Sequence, residues 1–274
     1  MIALIVLFIS ATAAIAWIAT IPLRQRLRRQ KVMSKPFPQP WRKILKQRFP
    51  YFKSMPTDLQ LQLKKHIQIF IDEKDFVGCQ GLTITDEIKV TIAAQACLLL
   101  LNRKTDFYPK LKHILVYPHA FITQQQVTDA AGVQSLQQNV HLGESWGNGK
   151  VILSWHNTLA GAAQPDDGHN VVIHEFAHQL DQETGDANGA PFLQKLTDYP
   201  TWSETLRSEF NQLQYCAQNH IPSLFNYYGA TNPAEFFAVI TETFFEKPQQ
   251  FHQEHPKLFQ ELSRFYQLNP IHWQ

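Results

Sequence analysis

Residues 174–178 read His174-Glu175-Phe176-Ala177-His178. Histidines four positions apart project from one face of a helix, one turn apart. Two neutral imidazoles converging in this way suit Zn2+. Glu175, beside the first histidine, can reach a metal-bound water and act as its general base, which is the chemistry of a metal-dependent hydrolase. The motif follows a candidate edge strand and lies in the otherwise apolar stretch 171–181. The competing reading, a helix with two incidental histidines, does not account for that setting.

A catalytic zinc takes three protein ligands and keeps one position open. Asp181 shares the helical face of His174, but a helix turns away from a tightly held ion within two turns. It therefore reads as a carboxylate that supports a ligand, or as a salt-bridge partner. His169, at the helix entrance, and Asp186 are weaker candidates. Farther along, Asn232-Pro233 marks a helix start, with Pro at the first helical position. Glu235 falls at the third position, where a capping-box glutamate would accept from the Asn232 backbone N–H. Phe236, Phe237 and Ile240 make this helix apolar, and a glutamate in such company also calls for a cation. Glu242 lies seven residues on and shares its face. Periodicity leaves both Glu235 and Glu242 open as the third ligand.

The elements that must position these residues are mixed and mostly helical. The stretch 56–76 reads as a helix, with Leu59, Leu61, Leu63, Ile67, Ile69 and Phe70 among its apolar positions. A second helix starts at Thr85 or Asp86 and runs through Ile88, Ile92, Ala96, Leu99 and Leu100, which should be central and buried. Residues 113–117 and 151–155 read as strands, and the chain is helical again from Val171. Strands in the middle with helices on both sides give an α+β class, without the alternation of a dinucleotide-binding fold.

Composition narrows the class further. Of 274 residues, 44% are hydrophobic and 18% charged, with 11 Gly and 16 Pro, which excludes a disordered polyelectrolyte or a collagen. The net charge is +2, from 25 basic and 23 acidic residues; without Arg24, Arg26, Arg28, Arg29 and Lys31 it is 20 against 23, or −3. That mildly acidic body is no nucleic-acid footprint, so no nucleic acid is expected as a partner. Cys79, Cys97 and Cys216 form no CxxC and no close pair, which fits a reducing compartment.

Residues 2–23 contain no charge, and a membrane-crossing helix needs about 20 residues. No basic residue precedes the apolar run, as a signal peptide would require. Residues 1–23 are therefore expected to be an uncleaved single-pass transmembrane anchor. The basic cluster behind it places the C-terminal bulk on the cytoplasmic side of the inner membrane, where its side chains can rest against anionic headgroups. Residues 24–40 read as a basic and Pro-rich linker, and 41–274 as one domain.

The paired motifs carry a resemblance. His174-Glu175-Phe176-Ala177-His178 followed by Tyr228-Gly229-x-Thr231-Asn232-x-Ala234-Glu235-Phe236-Phe237-Ala238 resembles the Mlc titration factor A family of zinc peptidases. The same motifs are similar to those of the catalytic domain of anthrax lethal factor. The stretch 84–100 also looks like a signature of the titration-factor family, so the resemblance covers most of 41–270. Two motifs 57 residues apart are far more specific than the first alone.

The resemblance implies a zincin-like fold, mostly helical with a small sheet. It implies one Zn2+ per chain held by His174, His178 and Glu235, with Glu175 as catalytic base and Tyr228 supporting the transition state. A peptide or protein is then the substrate, with endopeptidase and aminopeptidase action both compatible. The family's partner is a glucose-responsive transcriptional repressor, so a binding module that sequesters a regulator is the second reading. The intact Glu175 favours the peptidase, since a purely structural zinc site needs no base. The N-terminal span departs from the soluble members of the family. A reporter active only in the periplasm, fused after Gln274, should show no activity; strong activity would place the body outside the cytoplasm.

Overall fold

A computed structural model describes residues 2–104, 106–128, 134–141, 143–146 and 149–273. The elements are α1 (Ile2–Ala19), α2 (Ile21–Met33), α3 (Gln39–Arg48), α4 (Tyr51–Ser54), α5 (Thr57–Glu73), β1 (Asp75–Gly78), α6 (Asp86–Leu98), β2 (His113–Tyr117), β3 (Phe121–Thr128), β4 (Gln134–His141), β5 (Gly143–Trp146), β6 (Lys150–Ser154), α7 (Trp155–Ala163), α8 (Val171–Asp181), α9 (Tyr199–Asn219), α10 (Pro233–Glu246), α11 (Pro248–Glu254) and α12 (Pro256–Tyr266). Helices dominate, and the small sheet lies in the middle of the chain.

Helix α6 is the central element. Its N-cap is Thr85, whose Oγ1 accepts the Ile88 N–H at 3.3 Å, and the run Val90 to Leu101 is shut away from solvent on every side. A helix apolar all round belongs in the middle of a core. It packs on α3, α5, α7 and α8. Phe70, Tyr108 and Phe176 meet edge to face beside it, with ring centroids 4.9 to 6.2 Å apart.

The main sheet has the order β1-β2-β6-β5. The first three strands are parallel, with His113 opposite both Asp75 and Lys150, and β5 adds an antiparallel edge. Strand β6 is buried along nearly its whole length, as expected of a strand covered on both faces. Strands β3 and β4 form a separate antiparallel pair.

Several sequence expectations change. The helix expected over 56–76 ends at Glu73. Lys74 is extended and buried, with its ammonium donating to the Tyr108 and Leu111 carbonyls at 2.8 Å each. Phe76 falls in β1, a strand visible only through its pairing with β2. The strand expected over 151–155 runs from Lys150 to Ser154, because the Ser154 hydroxyl caps α7 and Trp155 is already helical.

The stretch 24–40, expected as a linker, is helical through Met33 and packs on α5. Arg29 forks onto Glu73 at 2.7 and 3.1 Å and reaches Asp106 at 3.0 Å, and Arg28 meets Asp72 at 2.7 Å. Val32 is buried, and the Gln68 amide donates to the Lys35 carbonyl. Two of the basic side chains expected to face headgroups are therefore committed to protein carboxylates. Helix α1 is exposed along its length and has a mean hydropathy of 2.5 over 18 residues, long and apolar enough to cross a membrane.

The Arg29 fork is largely buried, and a hydrogen bond to a charged group contributes about 1.5–3 kcal/mol net. Arg29→Ala should lower stability by an amount in that range in a denaturant titration. It should also speed tryptic cleavage within α2.

Candidate metal centre

Helix α8 begins at Asn170, whose Oδ1 accepts the Ile173 N–H at 3.1 Å. Helix α10 begins at Asn232, whose Oδ1 accepts the Glu235 N–H at 3.0 Å. These caps start two apolar helices that pack against one another, and each carries its polar groups on the facing side. Only half of the expected capping box forms at α10. Asn232 caps, but the Glu235 carboxylate crosses to the imidazoles of α8.

His174 Nε2 lies 3.2 Å from His178 Nε2 and 3.0 Å from Glu235 Oε2, and His178 Nε2 lies 3.4 Å from the same oxygen. Three donors on tetrahedral positions, with bonds of about 2.0–2.2 Å, stand about 3.3 Å apart. The donor set therefore fits such an ion. Three lone-pair atoms facing one another at this spacing also call for a cation between them. The structure brings His174, His178 and Glu235 together as one cluster of possible ligands.

Glu242 takes a different place. Its Oε1 accepts from His174 Nδ1 at 2.7 Å, and its Oε2 accepts from the Asn170 backbone N–H. A proton on Nδ1 leaves the Nε2 lone pair directed into the cluster. Of the two glutamates left open by periodicity, Glu235 sits among the donor atoms and Glu242 behind them.

Glu175 is buried beside the cluster. Burial pushes its carboxyl up to about 7 against the pull of His174 and His178. Burial would also raise Glu235, yet its bonds with His174 and His178 outweigh this and hold it down at about 2. Tyr228 lies on a short turn after Asn226, with its ring 6.0 Å from that of His174. Burial and the neighbouring Glu235 and Glu175 carboxylates push its hydroxyl up to about 12, so it remains a proton donor. Tyr227 turns away and donates to the Ile221 carbonyl.

The weaker candidates lie apart from the cluster. Asp181 is fully buried, and its Oδ2 accepts the Gly189 N–H at 2.7 Å. It pins the loop that follows α8 against the start of α10. Gly189 has φ +77°, and a Cβ there would stand 2.6 Å from the Pro233 carbonyl oxygen, so the close approach requires glycine. Asp186 is exposed, and the His169 N–H bonds Asp167 Oδ1. Asn170 has no metal-ligand signature in the sequence, but an Asn directly before an apolar periodic run is a helix-start signal.

Two helices thus bring a His-His-Glu set of possible metal ligands together, with the buried Glu175 carboxyl beside it. Residues 23–267 match the glucose-regulated metallo-peptidase M90 family, and the chain belongs to it. It is 41% identical to an uncharacterized protein of Synechocystis sp., across 94% of each chain. It is 31% identical to Mlc titration factor A of Enterobacter sp., across 85% of this chain and 87% of that protein. Against Mlc titration factor A of Salmonella typhi it is 31% identical across 84% and 86%. The match begins ahead of residue 24, which takes in the helix that replaces the expected linker.

Glu235→Ala should weaken binding of a divalent metal markedly, because two imidazoles alone hold an ion loosely. Glu242→Ala should retain the metal with an affinity about 10–100-fold lower, as expected when a partner of a ligand is lost. Metal stoichiometry after dialysis, then chelator competition, separates the two.

Proposed function

We propose that this chain is a membrane-tethered zinc peptidase, with His174, His178 and Glu235 as ligands. The observation that carries this reading is the convergence of three donor atoms within 3.0–3.4 Å, with Glu175 buried alongside. When bound, zinc lowers the pKa of a coordinated water towards about 7 and polarises the scissile carbonyl.

Glu175 accepts the proton of the attacking water and returns it to the leaving amine. A carboxyl that burial has already made more basic suits this exchange. The Tyr228 hydroxyl, held protonated, donates to the developing oxyanion. Glu242 keeps His174 in the tautomer that presents Nε2. Among the described residues strand β5 is an edge of the main sheet and packs against α8, a position that suits an extended peptide added as a further strand. Helix α1 is the anchor, with the peptidase body on the cytoplasmic side.

A regulator-binding role is the second reading, favoured by the name Mlc titration factor A that relatives carry. It is compatible with peptidase action on a separate surface.

Glu175→Gln keeps the size of the side chain and should leave zinc near one equivalent while peptide cleavage falls by about 10²–10⁴. Tyr228→Phe should also retain zinc, with a fall of about 10–10³. Chelation should abolish cleavage and added Zn2+ restore it. Library peptides with free and acetylated N-termini distinguish aminopeptidase from endopeptidase action. Full activity of Glu175→Gln at unchanged zinc content would overturn the assignment of the base.

A further inference from the structure

Glu235, Glu242 and Glu246 lie seven and then four residues apart on α10, so their carboxyls line the side that faces α8. The first belongs to the donor cluster and the second holds His174. The third does neither. Glu246 is 1% exposed, and it accepts the Gly168 N–H at 2.9 Å and the Asn170 side-chain amide at 3.1 Å.

Asn170 is equally buried and bonded through every polar group of its side chain and through its backbone N–H. The N–H enters Glu242, Oδ1 caps Ile173, and Nδ2 donates to Glu246 and to the Gly161 carbonyl. Capping alone would be met by Ser, Thr or Asp. Among the short capping residues only Asn both accepts at one atom and donates from another, and here both are used at once. A buried carboxyl is unfavourable unless its partners compensate. Burial pushes Glu246 up to about 9, against the bond from Asn170 and reinforced by Asp167 and Glu242, so it adds no second charge behind Glu242.

We infer that Asn170 and Glu246 are positioning residues for the metal ligand His174, acting through the carboxylate of Glu242. Both Glu242 oxygens are occupied, one by His174 Nδ1 and one by the Asn170 N–H, so the place of Asn170 sets the plane of that carboxylate. Glu246 in turn sets the place of Asn170. The inference rests on the zinc reading above and assigns a task to two residues that the proposed mechanism leaves unused.

The test loads the full chain with Co2+ in place of zinc and reads its visible absorption band together with its affinity in chelator competition. Glu246→Ala and Asn170→Ser should each shift the band and loosen Co2+ by about tenfold, the lower end for a partner of a ligand. Ser at 170 keeps a capping oxygen, so it serves if Glu246→Ala fails to fold. Thr241→Val is the control: it removes a buried 2.9 Å contact to Tyr266 made by the same helix towards α12, and should leave band and affinity unchanged. Unchanged values in Asn170→Ser and Glu246→Ala would overturn the inference, as would an equal disturbance from Thr241→Val. A parent chain that holds no Co2+ and no Zn2+ would overturn the zinc reading itself, and this inference with it.

Discussion

Carboxylates set into the apolar centre of a protein must find compensation, and this requirement organises the molecule. Glu175, Glu235, Glu242 and Glu246 all lie along the contact between α8 and α10. Unpaired, each would favour the open chain, since taking a charge or an unbonded polar group out of water is costly. The compensation is local and complementary. Imidazoles of α8 meet Glu235 and Glu242, backbone N–H groups at the start of α8 meet Glu242 and Glu246, and Glu175 lies against both histidines. The helix N-terminus also favours negative charge at Asn170. What is left is a cluster of donors whose spacing matches a divalent cation.

The rest of the fold keeps that contact in register. Helix α6 supplies an apolar bed for α8, where Phe176 packs on Phe70 and Tyr108, and Phe236, Phe237 and Phe244 seat α10 against Phe210, Trp202 and Phe251. The loop after α8 returns to the start of α10 through Asp181 and Gly189, and the Trp202 indole N–H donates to the Gly189 carbonyl at 3.1 Å. Both helix starts are thus tied twice, once by an Asn cap and once by contacts from a neighbouring segment. Sites in which a donor must stand within a few tenths of an ångström of its place depend on such support.

At the other end, the link between the apolar N-terminal helix and the peptidase body is stiffer than a Pro-rich linker would be. Arg28 and Arg29 fasten α2 to the end of α5, and Phe37 and Trp41 pack edge to face where the chain enters α3.

The two site helices were legible in the sequence because their signals are short-range. His174 and His178 share a face by helical geometry alone, Asn232-Pro233 starts a helix by backbone chemistry, and the run through Ile88 and Leu100 is apolar enough to demand burial. The strand at His113–Tyr117 shows as a short apolar run stopped by Pro118. Strand β1 does not, because Phe76 and Val77 continue an apolar helix pattern until a partner strand offers hydrogen bonds. Nor does α2 declare its docking: arginines next to an apolar span look alike whether they face headgroups or carboxylates 44 residues away. The choice between Glu235 and Glu242 is of the same kind. Both occupy one face of one helix, and only the height at which α8 crosses α10 puts one carboxylate among the imidazole Nε2 atoms and the other against Nδ1. Periodicity describes a face; the distance along it is a tertiary quantity, decided by where two helices touch.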